Sequence, residues 1–269
     1  MQVVDQINRK LYFENTPKRI ISLVPSQTEL LCDLGLENSI VGITKFCVHP
    51  IDIKGKTTIV GGTKQIHINR IKALNPDIIL CNKEENTKDI VEACELICST
   101  HVSDIFNIED SLELIKQYGT IFNVENKTAL LVHDILKEVI SFKAFITSKP
   151  TIKVVYFIWK NPWMVAANNT FINYLLDFNK FINIYSIKNR YPEIELSEFN
   201  SNKEVELVLL SSEPFPFNTS HIKEMQLYYP NAKVITVDGE MFSWYGSRLL
   251  KAFKYFKNLR LSLQNNLPY

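Results

Sequence analysis

Residues 18–44, KRIISLVPSQTELLCDLGLENSIVGIT, decide the fold class. Residues 19–24 form a short apolar run after Pro17, which predicts a buried strand. Residues 28–34 place Leu30, Leu31 and Leu34 on one helical face, and Gly35 is a natural stop. Residues 39–44, SIVGIT, predict a second strand. A strand, a helix and a strand joined by short links predict a parallel pair.

The alternation continues outward. Residues 68–74 predict a short helix ended by Asn75-Pro76, and residues 77–82, DIILCN, a third strand. Residues 88–96 predict a helix, 97–102 a fourth strand and 109–118 another helix. Upstream, Val3, Val4, Leu11 and Phe13 predict a hairpin turning at residues 7–10. From 124 to 147 the residues Leu131, Ile135, Leu136, Val139, Phe142, Phe145 and Ile146 recur at helical spacing, with no Pro or Gly before Pro150. Such a helix is roughly 36 Å long at 1.5 Å per residue.

The second half repeats the scheme. Strands are predicted at 153–159, 183–186, 206–212 and 233–238, and helices at 170–176, 220–228 and 246–261. Ser197 is read as the cap of a further short helix. RIISLVPSQTELLCDLG matches KVVYFIWKNPWMVAANNTFINYLLDFN in kind, and NPDIILCNKEEN matches EVELVLLSSEPFP. The spacing between matched landmarks (Arg19 and Lys153, Asp77 and Glu206, Asp104 and Asp238) is nearly constant, which points to a pseudo-repeat. The expected architecture is α/β: an N-terminal lobe over 1–120, a connecting helix over 121–150 and a C-terminal lobe over 151–269, each lobe a parallel sheet covered by helices.

Composition excludes several classes. Hydrophobic residues make up 46% of the 269 residues and charged residues 22%, a globular mixture rather than a disordered one. The 30 basic against 29 acidic residues leave a net charge of +1, which gives no electrostatic case for nucleic acid or a membrane surface. The N-terminus lacks the basic start, apolar run and cleavage site of a secretory signal. The five cysteines, Cys32, Cys47, Cys81, Cys94 and Cys98, are odd in number and four of them sit in apolar or periodic surroundings, so reduced thiols are expected. Together these predict a cytoplasmic chain, or a periplasmic or membrane-associated one if an upstream signal has been removed.

In parallel sheets, ligands sit beyond the carboxyl ends of the strands. The loops expected there are rich in rings beside Pro, Asn and Glu, and all three tryptophans lie in them. Rings so placed either line a concave, partly apolar site or seal the packing between lobes. No nucleophile elbow, Walker loop, dinucleotide fingerprint or metal-hydrolase His pair is present, so the chain is not expected to be an enzyme. His49, His67, His101, His133 and His221 are too dispersed to predict a metal site. Glu84-Glu85 read either as a ligand clamp or as charges favouring the following helix dipole. Arg190, Tyr191 and Arg248 either meet ligand carboxylates or phosphate, or pair with Asp238 or Glu213.

Residues 18–44, then GGTKQIHINRIKALNPDIIL, then the 159–170 and 242–248 segments resemble the substrate-binding proteins of cobalamin and iron-siderophore uptake. These are the helical-backbone (class III) periplasmic-binding-protein-like family, and the resemblance is closest to its cobalamin-binding members. It implies two Rossmann-like lobes on one long helix, little hinge motion, and a bulky metal chelate held between the lobes. It also implies an ABC permease as partner, and a cobalamin or a ferric siderophore as ligand. Phe46 stands at an aromatic ligand position of the family. Thr63, Asn82 and Glu193 align with tryptophans in the cobalamin binder, so the pocket is rebuilt. Stacked rings contribute ~0.5–1.5 kcal/mol per pair beyond their buried area. Asn69 stands where a docking glutamate is expected, and Glu198 lies near its counterpart on the second lobe.

The reading that follows is a monomeric binding protein for a cobalamin-like or ferric siderophore-like chelate. Its expected ligand contacts are Ser26, Gln27, Phe46, Lys64 and Glu84 on the first lobe. On the second they are Trp159, Trp163, Arg190, Tyr191, Phe215, Phe242 and Trp244. The alternative is a cytosolic cofactor chaperone, ligand sensor or enzyme that reuses the fold without a permease.

Overall fold

The computed structural model describes residues 1–195, 198 and 204–264. The chain divides into two compact units, Met1–Leu136 with Tyr245–Arg248, and Lys137–Trp244 with Leu249–Tyr269.

The first unit opens with an antiparallel hairpin of β1 (Gln2–Val4) and β2 (Lys10–Tyr12). Its sheet contains β3 (Ile20–Ser22), β4 (Ile40–Ile43), β5 (Thr58–Ile59), β6 (Ile78–Asn82) and β7 (Ser99–Ser103). Their order is β5-β4-β3-β6-β7, and every pairing is parallel. Strands covered on both faces need continuous apolar runs, and β3 and β6 are buried at every residue. The crossovers use α1 (Pro25–Asp33), α2 (Ile53–Lys56), α3 (Ile68–Ala73) and α4 (Lys88–Glu95). Pro25 starts α1, where its missing N–H costs nothing, and Gly35 leaves the helix at φ 75°. Thr87 caps α4 by accepting from Ile90 N. α5 (Ile108–Phe122) is capped by Asn107 and ends on Asn123 in the left-handed region.

α6 (Glu125–Thr147) is the long helix, and residues 136 and 137 fall on opposite sides of the division. Val132, Ile135, Val139, Phe142 and Ile146 are buried along it, while Leu136, expected on the apolar face, is exposed.

The second unit contains β8 (Ile152–Trp159), β9 (Met164–Val165), β10 (Phe181–Asn183), β11 (Leu207–Ser211) and β12 (Lys233–Val237). The order is β10-β8-β11-β12, again parallel, with β9 antiparallel on β8. The connecting helices are α7 (Phe171–Phe178), α8 (Thr219–Tyr228), α9 (Gly239–Ser243) and, after a 3-10 turn at Gly246–Arg248, α10 (Leu249–Gln264). Phe142 packs on Phe178, Phe253 and Phe256 inside this unit. The predicted strand at 183–186 lies earlier, at Phe181–Asn183, and Ser197 lies outside the described residues. The short elements α2, β5, β9 and α9 were not expected.

Across the first sheet the chain order is third, second, first, fourth, fifth, and in the second unit the parallel strands run β10-β8-β11-β12, again with the first strand inside the sheet. The topological switch point therefore lies between β3 and β6 in one unit and between β8 and β11 in the other.

Candidate functional site

In the first unit the switch point is formed by the turn into α1 and the loop after β6. Gln27 is fully buried here. Its Nε2 donates to Ser103 Oγ (2.7 Å) and Tyr245 Oη (3.0 Å), and its Oε1 accepts from Tyr118 Oη (2.6 Å). Ser26 is buried beside it. Both were expected to meet ligand. In the structure both are buried, and the Gln27 amide spends its hydrogen bonds within the unit.

The loop after β6 is organised by two asparagines. Asn82 Oδ1 accepts from Glu84 N (2.9 Å) and Glu85 N (3.1 Å), while Asn86 Oδ1 accepts from Asn82 N (2.9 Å). Asn86 Nδ2 donates to Thr63 O (3.0 Å), and Lys64 Nζ donates to Glu84 O (2.8 Å). The loop after β6 and the 61–64 turn are thus one scaffold, with Glu84 and Glu85 half-buried on it. Thr87 and Asp89, not the glutamates, occupy the start of α4. Phe46 is 49% exposed, and Lys45 Nζ lies 5.1 Å from its ring centre. The ring lies over Gly62, where an added Cβ would come within 3.1 Å of it.

In the second unit the switch point lies between the β8–β9 hairpin and the loop after β11. Trp159 is 38% exposed and meets half-buried Phe215 edge-on, 5.6 Å between centres. Phe215 rests on Phe217 (4.7 Å) and His221 (5.4 Å). Tyr191 and Arg190 are half-buried, the guanidinium 5.8 Å from the Tyr191 ring. Arg190 has φ 60° and is held by main-chain bonds to Ala167 and Asn168.

Three expected ligand rings belong to the core instead. Trp163 stacks on Phe217 and meets Phe157 edge-on, inside the hydrophobic cluster of its unit. Phe242 is fully buried against Tyr156 and Phe256. Trp244 is 7% exposed and donates from Nε1 to Glu213 Oε1 (2.9 Å), which also accepts from Ser243 Oγ (2.8 Å). Burial pushes the Glu213 carboxyl up, against these two hydrogen bonds. Arg248 pairs with Glu29 (2.8 Å) rather than with Glu213 or Asp238. Residue type alone gave no signal of Asn82, Asn86 and Glu213 as organisers. Their positions directly at or after β6 and β11 were the available clue.

The exposed parts of these two surfaces are rings and flexible cations, a combination that suits a flat, partly polar guest. Among the described residues no group of three His, Cys, Asp or Glu is placed to hold a metal ion. No helix among them is long and apolar enough to cross a membrane.

The fold matches solved structures closely. The periplasmic vitamin B12 binding protein of Vibrio cholerae superposes with a TM-score of 0.81 at 17% identity, covering 93% of this chain and 98% of that one. A periplasmic heme binding protein from Pseudomonas aeruginosa gives 0.78 at 19% identity, covering 90% and 92%. In sequence the chain is 26% identical over 184 residues to an uncharacterized ABC transporter substrate-binding lipoprotein of Bacillus subtilis. That match takes in 64% of this chain but only 57% of the lipoprotein. A vitamin B12-binding protein of Pectobacterium atrosepticum is 23% identical over 243 residues, 88% of this chain and 86% of that one. The family model described as periplasmic binding protein matches residues 20–227, from β3 through the long helix to α8, and the chain belongs to that family.

Proposed function

We propose that this chain is a non-catalytic binding protein that captures a bulky metal chelate, of the cobalamin, ferric siderophore or heme kind, and delivers it to an ABC permease. The observation that carries the reading is the partly exposed Trp159–Phe215 pair at the switch point of the second sheet. Apolar rings at a strand-end switch point offer contact area to a large planar guest, and exposing them to water is unfavourable without one. In the same unit Tyr191 with Arg190 adds ring and cation contacts, and in the other unit Phe46 with Lys45 offers a ring and cation of the same kind. Lys64 and Glu84 contribute through the scaffold they share. The names of the relatives support the chemistry of the ligand and a place at the outer face of the cytoplasmic membrane. The chelate is cargo, and no resident cofactor is required. The chain works as a monomer, and exposed Asn69 on α3 stands where the family's resemblance puts a docking glutamate, so any permease contact there lacks that charge.

The test is the Trp159→Ala, Phe215→Ala double variant. Against whichever chelate the wild type binds best, it should bind at least tenfold more weakly, about 1.4 kcal/mol. Unchanged affinity would overturn the placement of the site.

A further inference from the structure

The near-neutral charge of the whole chain conceals a local asymmetry. Residues 241–269 hold five of the 30 basic residues and none of the 29 acidic ones, and residues 139–150 hold Lys143 and Lys149 without an acid. The fold brings these two stretches together within the second unit. Lys257 Nζ on α10 donates to Ser141 Oγ on α6 (2.8 Å), and Lys149 Nζ, just past α6, donates to Gln264 Oε1 at the end of α10 (2.9 Å). The bonded positions advance together along both stretches, so α6 and α10 run side by side in the same direction. Ile140 is 68% exposed and Leu261 42%, and Ala144, one turn beyond Ile140, is exposed too. Exposed Lys137, Lys143 and Lys254 stand around these apolar side chains, with Lys149 and Lys257 half-buried. The groups that meet these lysines are neutral: the hydroxyl and amide already named, the Phe178 ring under Lys143 (5.5 Å) and the Phe145 ring under Lys149 (4.7 Å). Glu138, the acid that precedes this part of α6, is half-buried.

We propose that this outer face of α6 and α10 rests on an anionic lipid bilayer, its lysines meeting headgroup phosphates while Ile140 and Leu261 enter the acyl boundary. Charge complementarity selects an anionic partner, because the cations gather here without carboxylates to neutralise them. Exposed aliphatic side chains within a ring of lysines select lipid over an acidic protein surface. Lysine stems lie along apolar surface and carry their ammonium groups to the headgroups, while the aliphatic groups leave water. Each lysine near such a surface strengthens binding roughly fivefold, so several acting together are needed for a stable contact. The face is distinct from the candidate site, and the proposal does not depend on which ligand the chain carries.

The experiment is co-sedimentation of the full chain with vesicles of phosphatidylcholine alone and of phosphatidylcholine mixed with phosphatidylglycerol, in low and in high salt. The expected result is binding to the mixed vesicles in low salt, loss of it in high salt, and none to phosphatidylcholine alone. The Lys137→Gln, Lys143→Gln, Lys254→Gln triple variant should bind the mixed vesicles at least tenfold more weakly. Ile140→Ser with Leu261→Ser should also weaken binding, which a purely ionic contact would not show. A control that removes exposed lysines of the first unit, Lys54→Gln, Lys88→Gln and Lys116→Gln, should bind as the wild type does. Circular dichroism checks that each variant is folded. Wild-type protein that stays in the supernatant with the mixed vesicles overturns the proposal, as does equal weakening by the control. Salt-sensitive retention on immobilised polyglutamate without vesicle binding would assign the face to an acidic protein and equally overturn it.

Discussion

His101 on β7 is an imidazole held where a charge is costly. It is fully buried, its Nε2 donates to Gln117 Oε1 (2.7 Å), and no hydrogen-bond partner meets its Nδ1. The tautomer follows from Gln117, whose amide nitrogen already donates to Val4 O and Glu113. Burial is the main cause that lowers the His101 pKa; Arg9 lowers it too, while Gln117 and Asp5 oppose them. The unfolded chain therefore binds this proton more readily than the folded one, and stability rises with pH across that window. Full stability is expected above about pH 6.5, the ordinary histidine value, with loss as pH falls toward the depressed folded value. Urea unfolding at pH 7.5 and 5.5 checks this. The wild type should lose more stability on acidification than His101→Gln, and equal losses would refute it. The same scale shows where sequence reading stops. Trp159 and Trp163 lie four residues apart in one hairpin, yet one faces water and the other stacks on Phe217. Both were legible as strand-end rings. Which way each turns depends on the β8–β9 pairing and on core packing from Phe157 and Phe217, which are distant partners no local pattern encodes.

At the scale of elements, the segment Tyr245–Arg248 is tied into the first unit by three distinct contacts. Tyr245 Oη accepts from Gln27, Gly246 N donates to Ser111 Oγ, and Arg248 Nε donates to Glu29 on α1. The Arg248 and Glu29 side chains are only 4% and 5% exposed. Removing one partner of such a pair strands the other charge away from water, at about 3–5 kcal/mol. Arg248→Ala and Glu29→Ala should each destabilise the chain by that order in urea melts. The double variant should cost clearly less than their sum, whereas additive costs would show that the two charges are not coupled. Long elements were legible because periodicity accumulates over them: α5, α6 and α10, and the apolar strands β3, β6, β8 and β11. The five-residue α9 and the two-residue β5 and β9 carry too little pattern, and tertiary contacts set them.

At the scale of the whole molecule, the repeat read from spaced landmarks corresponds to four strands in the same relative order, β4-β3-β6-β7 and β10-β8-β11-β12, with β5 extending the first sheet and β9 pairing β8 in the second. That order follows from chain connectivity, since right-handed crossovers with short links leave few alternatives. It also locates the switch points, and so the candidate surfaces, before any side chain is placed. Ligand identity is not legible in this way, because it depends on ring directions and on the loops around them. A ligand that binds only the folded chain stabilises it by about 2.7 kcal/mol at a hundredfold excess over Kd, so thermal melts should register the right chelate as an upward shift. The most direct measurement is isothermal titration calorimetry of the ligand-free chain with a cobalamin, a ferric siderophore and hemin in turn. Saturable one-to-one binding at micromolar concentration or tighter is predicted for at least one of the three. Heats no larger than dilution for all three would contradict the account.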